Sequence, residues 1–234
     1  VKRKSIESTV IQLRGLTGSF TKSRHKAGRE VFMESFIEQF LKKETVTGMI
    51  FDVDGTLLDS MPVWAHSGEQ YLATLGIKAP ESLGRELFSM TMQKGAEYIK
   101  QAFAMSQTPE EIKEGIIQVV ARAYEKEVGY KPGAAAFLKA LQKAGVPMTV
   151  VTSNDLPLVL AAFQRLGIER CFRHIFTCGV FGSGKDDPAI FHAAAKEMGS
   201  STDSTWVVED GLYAIRTAKQ AGYRVIGVAD AASR

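Results

Sequence analysis

The 234-residue sequence predicts an α/β fold, a doubly wound parallel sheet interrupted by an inserted α-helical module. Three observations carry this expectation. The apolar run Gly48-Met49-Ile50-Phe51-Asp52-Val53 contains a carboxylate near its end, as a buried parallel strand does when its tip reaches a site. The following stretch, residues 61–130, is helical in spacing and lacks a convincing strand. From Lys131 onward helical and apolar segments alternate, the rhythm of a parallel sheet with helices on both faces.

Residues 1–30 are basic, rich in Ser and Thr, and lack a long apolar segment, which excludes an ordinary secretory signal. A flexible extension is expected there, with an organelle-targeting leader as the alternative. Between Val31 and Leu41, the residues Phe32, Met33, Phe36, Ile37, Phe40 and Leu41 recur at helical spacing, so an amphipathic helix is expected to pack on the body. The strand at 48–53 comes next, and then the helical module. Its clearest element starts at Thr108-Pro109-Glu110-Glu111, where Thr108 caps, Pro109 suits the first helical position and Glu111 completes a capping box. Ile112, Ile116, Val119, Val120, Ala123 and Tyr124 form its buried stripe. Beyond Lys131 the expected order is helix 134–144, strand Pro147–Val151, helix 156–166 and strand His174–Thr177. A helix after Pro188, strand Trp206–Val208, helix 213–221 and strand Arg224–Val228 complete it. The core is therefore expected over 31–60 and 131–234, and the inserted module over 61–130.

Hydrophobic residues make up 45% and charged residues 24%, ordinary values that argue against a largely disordered chain. No apolar run approaches the ~18 residues of a membrane-spanning helix, and no membrane association is expected. Cys171 and Cys178 fit no common zinc spacing and are too few to staple a secreted scaffold, which suits a reducing cytoplasm. The net charge of +3 is unevenly distributed: residues 1–29 hold eight of the 29 Lys and Arg but only one of the 26 Asp and Glu, Glu7. That leaves 21 basic and 25 acidic residues, a net of −4, so the body is mildly acidic and no nucleic-acid binding is expected.

In such sheets ligands bind beyond the carboxyl ends of the strands, so chemistry is sought just after each apolar run. Asp52 and Asp54, two apart after the first strand, can project to one side, and Gly55 permits a sharp backbone departure. One carboxylate is placed to attack while the other handles protons. A calcium loop beginning Asp-x-Asp is excluded, because its sixth and twelfth positions need Gly and Glu and here are Leu57 and Val63. After the second strand, Thr152-Ser153-Asn154 offers hydroxyl, amide and backbone N–H donors that suit a phosphate oxygen, although such residues also make ordinary turns and caps. Lys185 lies in Gly182-Ser183-Gly184-Lys185-Asp186-Asp187-Pro188, where a lone lysine is normally a solvated charge. Glu209-Asp210-Gly211 repeats the pattern of strand followed by acids and Gly, placing hard oxygen ligands for a cation or a cap for the next helix.

The conjunction of an Asp pair, a hydroxyl, a lysine and a second acidic pair at successive strand ends resembles the haloacid dehalogenase superfamily of phosphohydrolases. Asp52-Val53-Asp54-Gly55-Thr56, Thr152, Lys185 six residues before Phe191, and Glu209-Asp210 carry that resemblance, which runs from residue 48 to about 230. It implies a Rossmann-like core with a helical cap at 61–130, and Mg2+ as cofactor. It further implies Asp52 as nucleophile, Asp54 as acid and base, and Thr152 with the Ser153 N–H and Asn154 on the phosphate. Lys185 would neutralise charge; Asp52, the Asp54 carbonyl and Asp210, with Glu209 as a further ligand, would hold the metal. Two motifs depart from the common form: Lys185-Asp186-Asp187-Pro188 stands for Lys-Pro-x-Pro, and Glu209-Asp210-Gly211 for Glu-Asp-Ser.

The implied activity is magnesium-dependent hydrolysis of a small phosphomonoester through an aspartyl-phosphate, in a cytoplasmic protein expected to be a monomer. Asp54 argues against dehalogenation, since a halide leaves unprotonated. A β-phosphoglucomutase-like mutase ranks second, because the family's His twelve residues after the nucleophile is Trp64 here, with His66 two further on. A phosphonate hydrolase would need a cap lysine, for which Lys78, Lys94 and Lys100 are the candidates. A catalytically silent binding protein is disfavoured by the complete charged set. The cap is expected to close over the site and select the substrate, with Trp64 and His66 near its first hinge.

Overall fold

The computed structural model describes residues 26–87 and 90–231, so most of the basic extension expected over 1–30 lies outside the described residues. Helix α1, Lys26–Lys43, precedes strand β1, Gly48–Phe51. Then come α2 Met61–Ala65, α3 Ser67–Thr74, α4 Leu83–Leu87, α5 Met92–Ala102 and α6 Pro109–Lys126. The chain continues through α7 Ala134–Lys143, β2 Met148–Thr152, α8 Leu156–Leu166, β3 Ile175–Thr177 and α9 Cys178–Phe181. It finishes with α10 Ala189–Met198, β4 Thr205–Glu209, α11 Leu212–Gln220 and β5 Arg224–Gly227. These elements form two compact units, one of the described residues through Asp59 together with those from Tyr130, the other Ser60–Gly129.

The first unit is a five-stranded, wholly parallel sheet in the order β3-β2-β1-β4-β5. The chain winds outward from β1 through β2 to β3, then crosses back to β4 and β5, so the strand order reverses beside β1, where such sheets bind ligands. Every residue of β1, β2 and β4 is buried, which is why these strands read as continuous apolar runs rather than as alternations. Successive side chains still serve opposite faces. Ile50, Val151, Val207 and Val225 pack against Ile190, Phe191 and Met198 of α10 and Ala214 and Ala218 of α11. On the opposite face Phe51 meets the edge of Phe137 from α7 at 6.0 Å, and Trp206 meets Phe40 from α1 at 4.9 Å.

Helix α1 starts five residues before the expected Val31, because Lys26-Ala27-Gly28-Arg29-Glu30 contains no proline to stop it. It buries Met33, Ile37 and Phe40 and joins α7 through a Glu34–Lys143 ion pair of 2.9 Å. Helix α9 was not anticipated; it is one short turn capped by Thr177, whose hydroxyl accepts the Val180 N–H at 3.4 Å.

The helical unit has its own core, in which Tyr71, Leu72, Leu83, Ala96, Ile99, Ile112 and Ile116 are buried together. Helix α6 carries the expected capping box: Thr108 Oγ1 accepts the Glu111 N–H at 3.2 Å, and Glu111 Oε2 accepts the Thr108 N–H at 2.7 Å. The expected stripe is buried at Ile112, Ile116, Val120, Ala123 and Tyr124 and half-buried at Val119. Within the sheet unit, the points where the chain leaves and returns lie side by side. Leu58 and Tyr130 form an antiparallel bridge, Lys131 donates its N–H to the Leu57 carbonyl at 2.9 Å, and the Lys131 ammonium reaches Asp59 at 3.3 Å and also bonds Asp230. Among the described residues no helix is long and apolar enough to cross a membrane.

Candidate active site

Asp52 follows β1 and extends its ladder by one residue, donating its N–H to the Val208 carbonyl at 3.0 Å. This places it beside Glu209, the last residue of β4. The chain then turns sharply: Thr56, Leu57 and Leu58 all direct their N–H groups to the Val53 carbonyl, and Gly55 adopts φ +81°. A side chain at position 55 would strain that turn, which is the physical reason for glycine four residues after the end of β1.

Lys185 is buried at the centre of the site, although its loop position suggested a solvated charge. Its ammonium bonds Asp52 Oδ1 and donates to Glu209 Oε2 at 2.8 Å. Burial alone would pull this lysine down, but the two carboxylates outweigh it and hold the ammonium above the ordinary lysine range. Burial pushes Glu209 up to about 8, and the negative charge of Asp52 adds to that. The ion pair with Lys185 and the Gly211 N–H oppose the rise without cancelling it, because Asp52 competes for the same ammonium.

The surplus of negative charge is local. Asp52, Glu209 and Asp210 are all buried and each offers an oxygen within 4.8 Å of the others. Asp52 Oδ2 is itself buried without a hydrogen-bond partner. An orphaned carboxylate oxygen within an acidic cluster that one lysine cannot neutralise fits a hard divalent cation bound through oxygen. Glu209 is oriented for this cluster by the N–H groups of Asp210 at 3.2 Å and Gly211 at 2.9 Å, and Asp210 by the Thr56 hydroxyl at 3.2 Å.

Asp54 is half-buried, and its Oδ2 accepts from the Asn154 amide at 2.9 Å, which ties the loop after β1 to the loop after β2. Thr152 is buried, and its hydroxyl accepts the Asn154 N–H at 3.0 Å, leaving the hydroxyl proton to donate elsewhere. Ser153 is exposed between them, and its hydroxyl lies 3.6 Å from Cys178 Sγ. The structure thus joins Asp52, Lys185, Glu209 and Asp210 in one cluster and Asp54, Thr152 and Asn154 in a hydrogen-bonded chain. Sequence reasoning missed Thr56, which stood inside the Asp-x-Asp-Gly-Thr run without a role and proves to hold Asp210.

Residues 49–228 match the family model described as haloacid dehalogenase-like hydrolase, and the chain belongs to that family. Among its relatives, a phosphoglycolate phosphatase of Agrobacterium fabrum is 30% identical over 186 residues, spanning 76% of this chain and 78% of the relative. Hexitol phosphatase A of Escherichia coli is 29% identical over 184 residues, spanning 77% and 82%. A Thermotoga maritima protein provisionally called beta-phosphoglucomutase shares the fold, with a TM-score of 0.74 at 22% identity over 80% of this chain and 87% of that one.

Proposed function

We propose that this hydrolase is a magnesium-dependent phosphatase of a small phosphorylated metabolite, a sugar, polyol or short acid phosphate. The observation that carries the reading is Asp52, buried at the strand-order reversal with one oxygen held by Lys185 and the other without a hydrogen-bond partner. That carboxylate attacks phosphorus, the ester oxygen leaves with a proton from Asp54, and an aspartyl-phosphate forms on Asp52. Asp54, now a base, takes a proton from water, whose oxygen attacks the same phosphorus and frees Asp52 and inorganic phosphate. Asn154 holds Asp54 through the 2.9 Å bond to Oδ2. Thr152, Ser153 through its N–H, and Asn154 form the phosphate-receiving loop, and Lys185 offsets charge on Asp52 and the phosphoryl oxygens.

Asp52, the Asp54 carbonyl and Asp210, with Glu209 as a further or water-mediated ligand, are the groups that would hold Mg2+, which supplies positive charge to the phosphoryl oxygens. The names of the relatives support a phosphorylated carbohydrate or carboxylic acid as substrate. The helical unit is assigned the part of a substrate-selecting cap, inserted directly after the nucleophile. The mutase reading finds no support at Trp64, whose indole N–H donates to the Tyr124 hydroxyl at 2.9 Å within the helical unit.

Release of inorganic phosphate from sugar phosphates, polyol phosphates, nucleotides and phosphoglycolate, measured with and without magnesium, tests the reading and separates it from a non-catalytic binding protein. Asp52→Asn should lower turnover by about three orders of magnitude or more. Asp54→Asn should likewise lose hydrolysis of esters with poor leaving groups. Substantial magnesium-dependent turnover by Asp52→Asn would show that the nucleophile lies elsewhere.

A further inference from the structure

Asp54 is tied at its side chain by Asn154, but its backbone follows the loop that leads away from β1. That loop closes on itself: Gly55 donates its N–H to the Leu58 carbonyl at 2.9 Å, and Asp54 and Leu58 form an isolated bridge. What fixes residues 57–59 therefore fixes Asp54 as well. Lys131, from a distant part of the chain, makes two such contacts. Its backbone N–H donates to the Leu57 carbonyl at 2.9 Å, and its ammonium donates to Asp59 Oδ1 at 3.3 Å.

The same ammonium bonds Asp230, beyond β5. Asp230 stands two residues after Val228, whose N–H donates to the Glu209 carbonyl at 2.9 Å, so the far side of Lys131 is anchored beside the end of β4. The two arms differ in burial. Asp230 is 5% exposed at its side chain and Lys131 15%, whereas Asp59 is 49% exposed. Separating a buried pair leaves a costly charge behind, so the Asp230 arm is the anchor. The Asp59 arm, largely in solvent, is the weaker one and can hold the loop only because the other end of the lysine is fixed. Burial pulls the ammonium down, but the bond to Asp230 and the charges of Asp230 and Asp59 outweigh it and hold the group above the ordinary lysine range. Lys131 thus remains a cation that serves both carboxylates.

We propose that Lys131 is a positioning residue for Asp54, clamping the loop of residues 54–59 to the segment after β5. The proposal rests on the phosphatase reading and deepens it by adding a residue, outside the phosphate and metal groups, on which delivery of the proton to the leaving alcohol depends. Misplacing an acid costs rate where the leaving group needs the proton. A sugar or polyol oxygen needs it, whereas a nitrophenolate leaves without it. Because kcat/KM covers the steps through departure of the alcohol, it separates this part of Asp54 from its later part as a base.

The test is kcat/KM of the full chain, with magnesium, for p-nitrophenyl phosphate and for the sugar or polyol phosphate that it hydrolyses best. Lys131→Met keeps the stem and removes the charge, and it should lower the ratio of the second kcat/KM to the first by about three- to tenfold, the worth of a hydrogen bond. Lys131→Arg, which keeps the charge, should recover most of that ratio. Asp59→Asn leaves the buried pair of Lys131 and Asp230 in place and should shift the ratio the same way by a smaller factor, even if Lys131→Met fails to fold. Amide hydrogen exchange without substrate or metal should quicken over residues 54–59 in Asp59→Asn and Lys131→Met, with the amides of β2 unchanged. An equal fall for both esters, no change in either, or unaltered exchange over 54–59 would overturn the proposal while leaving the phosphatase reading intact. Release of no phosphate from any ester by the unaltered protein would overturn both.

Discussion

Lys185 faces two carboxylates and neutralises one charge, so the site without metal carries an unbalanced buried acid. Its cost has a definite sign with pH. Glu209 is pushed from its ordinary 4.5 up to about 8, so between these values the folded protein binds a proton that the unfolded chain has released. Stability must then fall as pH rises through that window, and below about 4.5 both states are protonated and the effect vanishes. We expect the melting temperature in EDTA to drop more steeply between pH 5 and 8 for the unaltered protein than for Glu209→Gln, and millimolar magnesium to remove the difference in slope. Equal slopes for the two proteins in EDTA would refute the buried-acid account. Removing the cation should do greater harm. Lys185→Met leaves Asp52 and Glu209 buried without their partner, and a loss of about 3–5 kcal/mol is expected in urea unfolding. At this scale the sequence was legible where a functional group directly follows an apolar run, as for Asp52, Thr152, Glu209 and Asp210. The double pairing of Lys185 and the bond from Asn154 to Asp54 join residues on separate loops, which no local pattern encodes.

Helices α7, α8 and α11, set between strands, were read to within one residue at either end, although none has a side-chain cap. Helix α6 announces itself by Thr108, Pro109 and Glu111, and replacing Thr108 with Ala should cost about 1 kcal/mol. Helices α2 to α5 are short, from five to eleven residues, and give too few turns for a period to emerge, so 61–107 was legible only as helical in character. Gly115 illustrates what packing adds. Helix propensity alone says that Ala in place of a mid-helix glycine stabilises by about 1 kcal/mol. In the structure, however, a Cβ at Gly115 would lie 2.2 Å from Cε2 of the buried Tyr71 ring. Overpacking of this kind typically costs about 1–3 kcal/mol, so Gly115→Ala should lower the melting temperature, and a rise would mean that the Tyr71 ring moves aside freely.

For the whole molecule, the alternation of helix and strand established a parallel sheet, whereas the strand order and the reversal beside β1 depend on which strands pair, a non-local choice. The division into two units has a chemical counterpart. Every group of the proposed reaction, Asp52, Asp54, Thr152, Lys185, Glu209 and Asp210, belongs to the sheet unit. In that proposed reaction these groups would act on the phosphoryl centre, which all phosphate esters share, and so would discriminate poorly between alcohols. The helical unit supplies none of them, has an independent core, and leaves the sheet unit and returns to it at the bridged pair Leu58 and Tyr130. Its exposed polar side chains can therefore vary without loss of the fold. His66 is one of these, 58% exposed at its side chain and paired with Glu69 at 2.6 Å, whereas Trp64 is tied into packing by its bond to Tyr124. If selection of the alcohol belongs to this unit, His66→Ala should change the ratio of kcat/KM between two natural esters by about three- to tenfold, the worth of one polar contact. Turnover of p-nitrophenyl phosphate should be nearly unaffected, since that ester offers His66 no hydroxyl to bind. A uniform fall across all esters, or no response in any, would place substrate choice elsewhere than around His66.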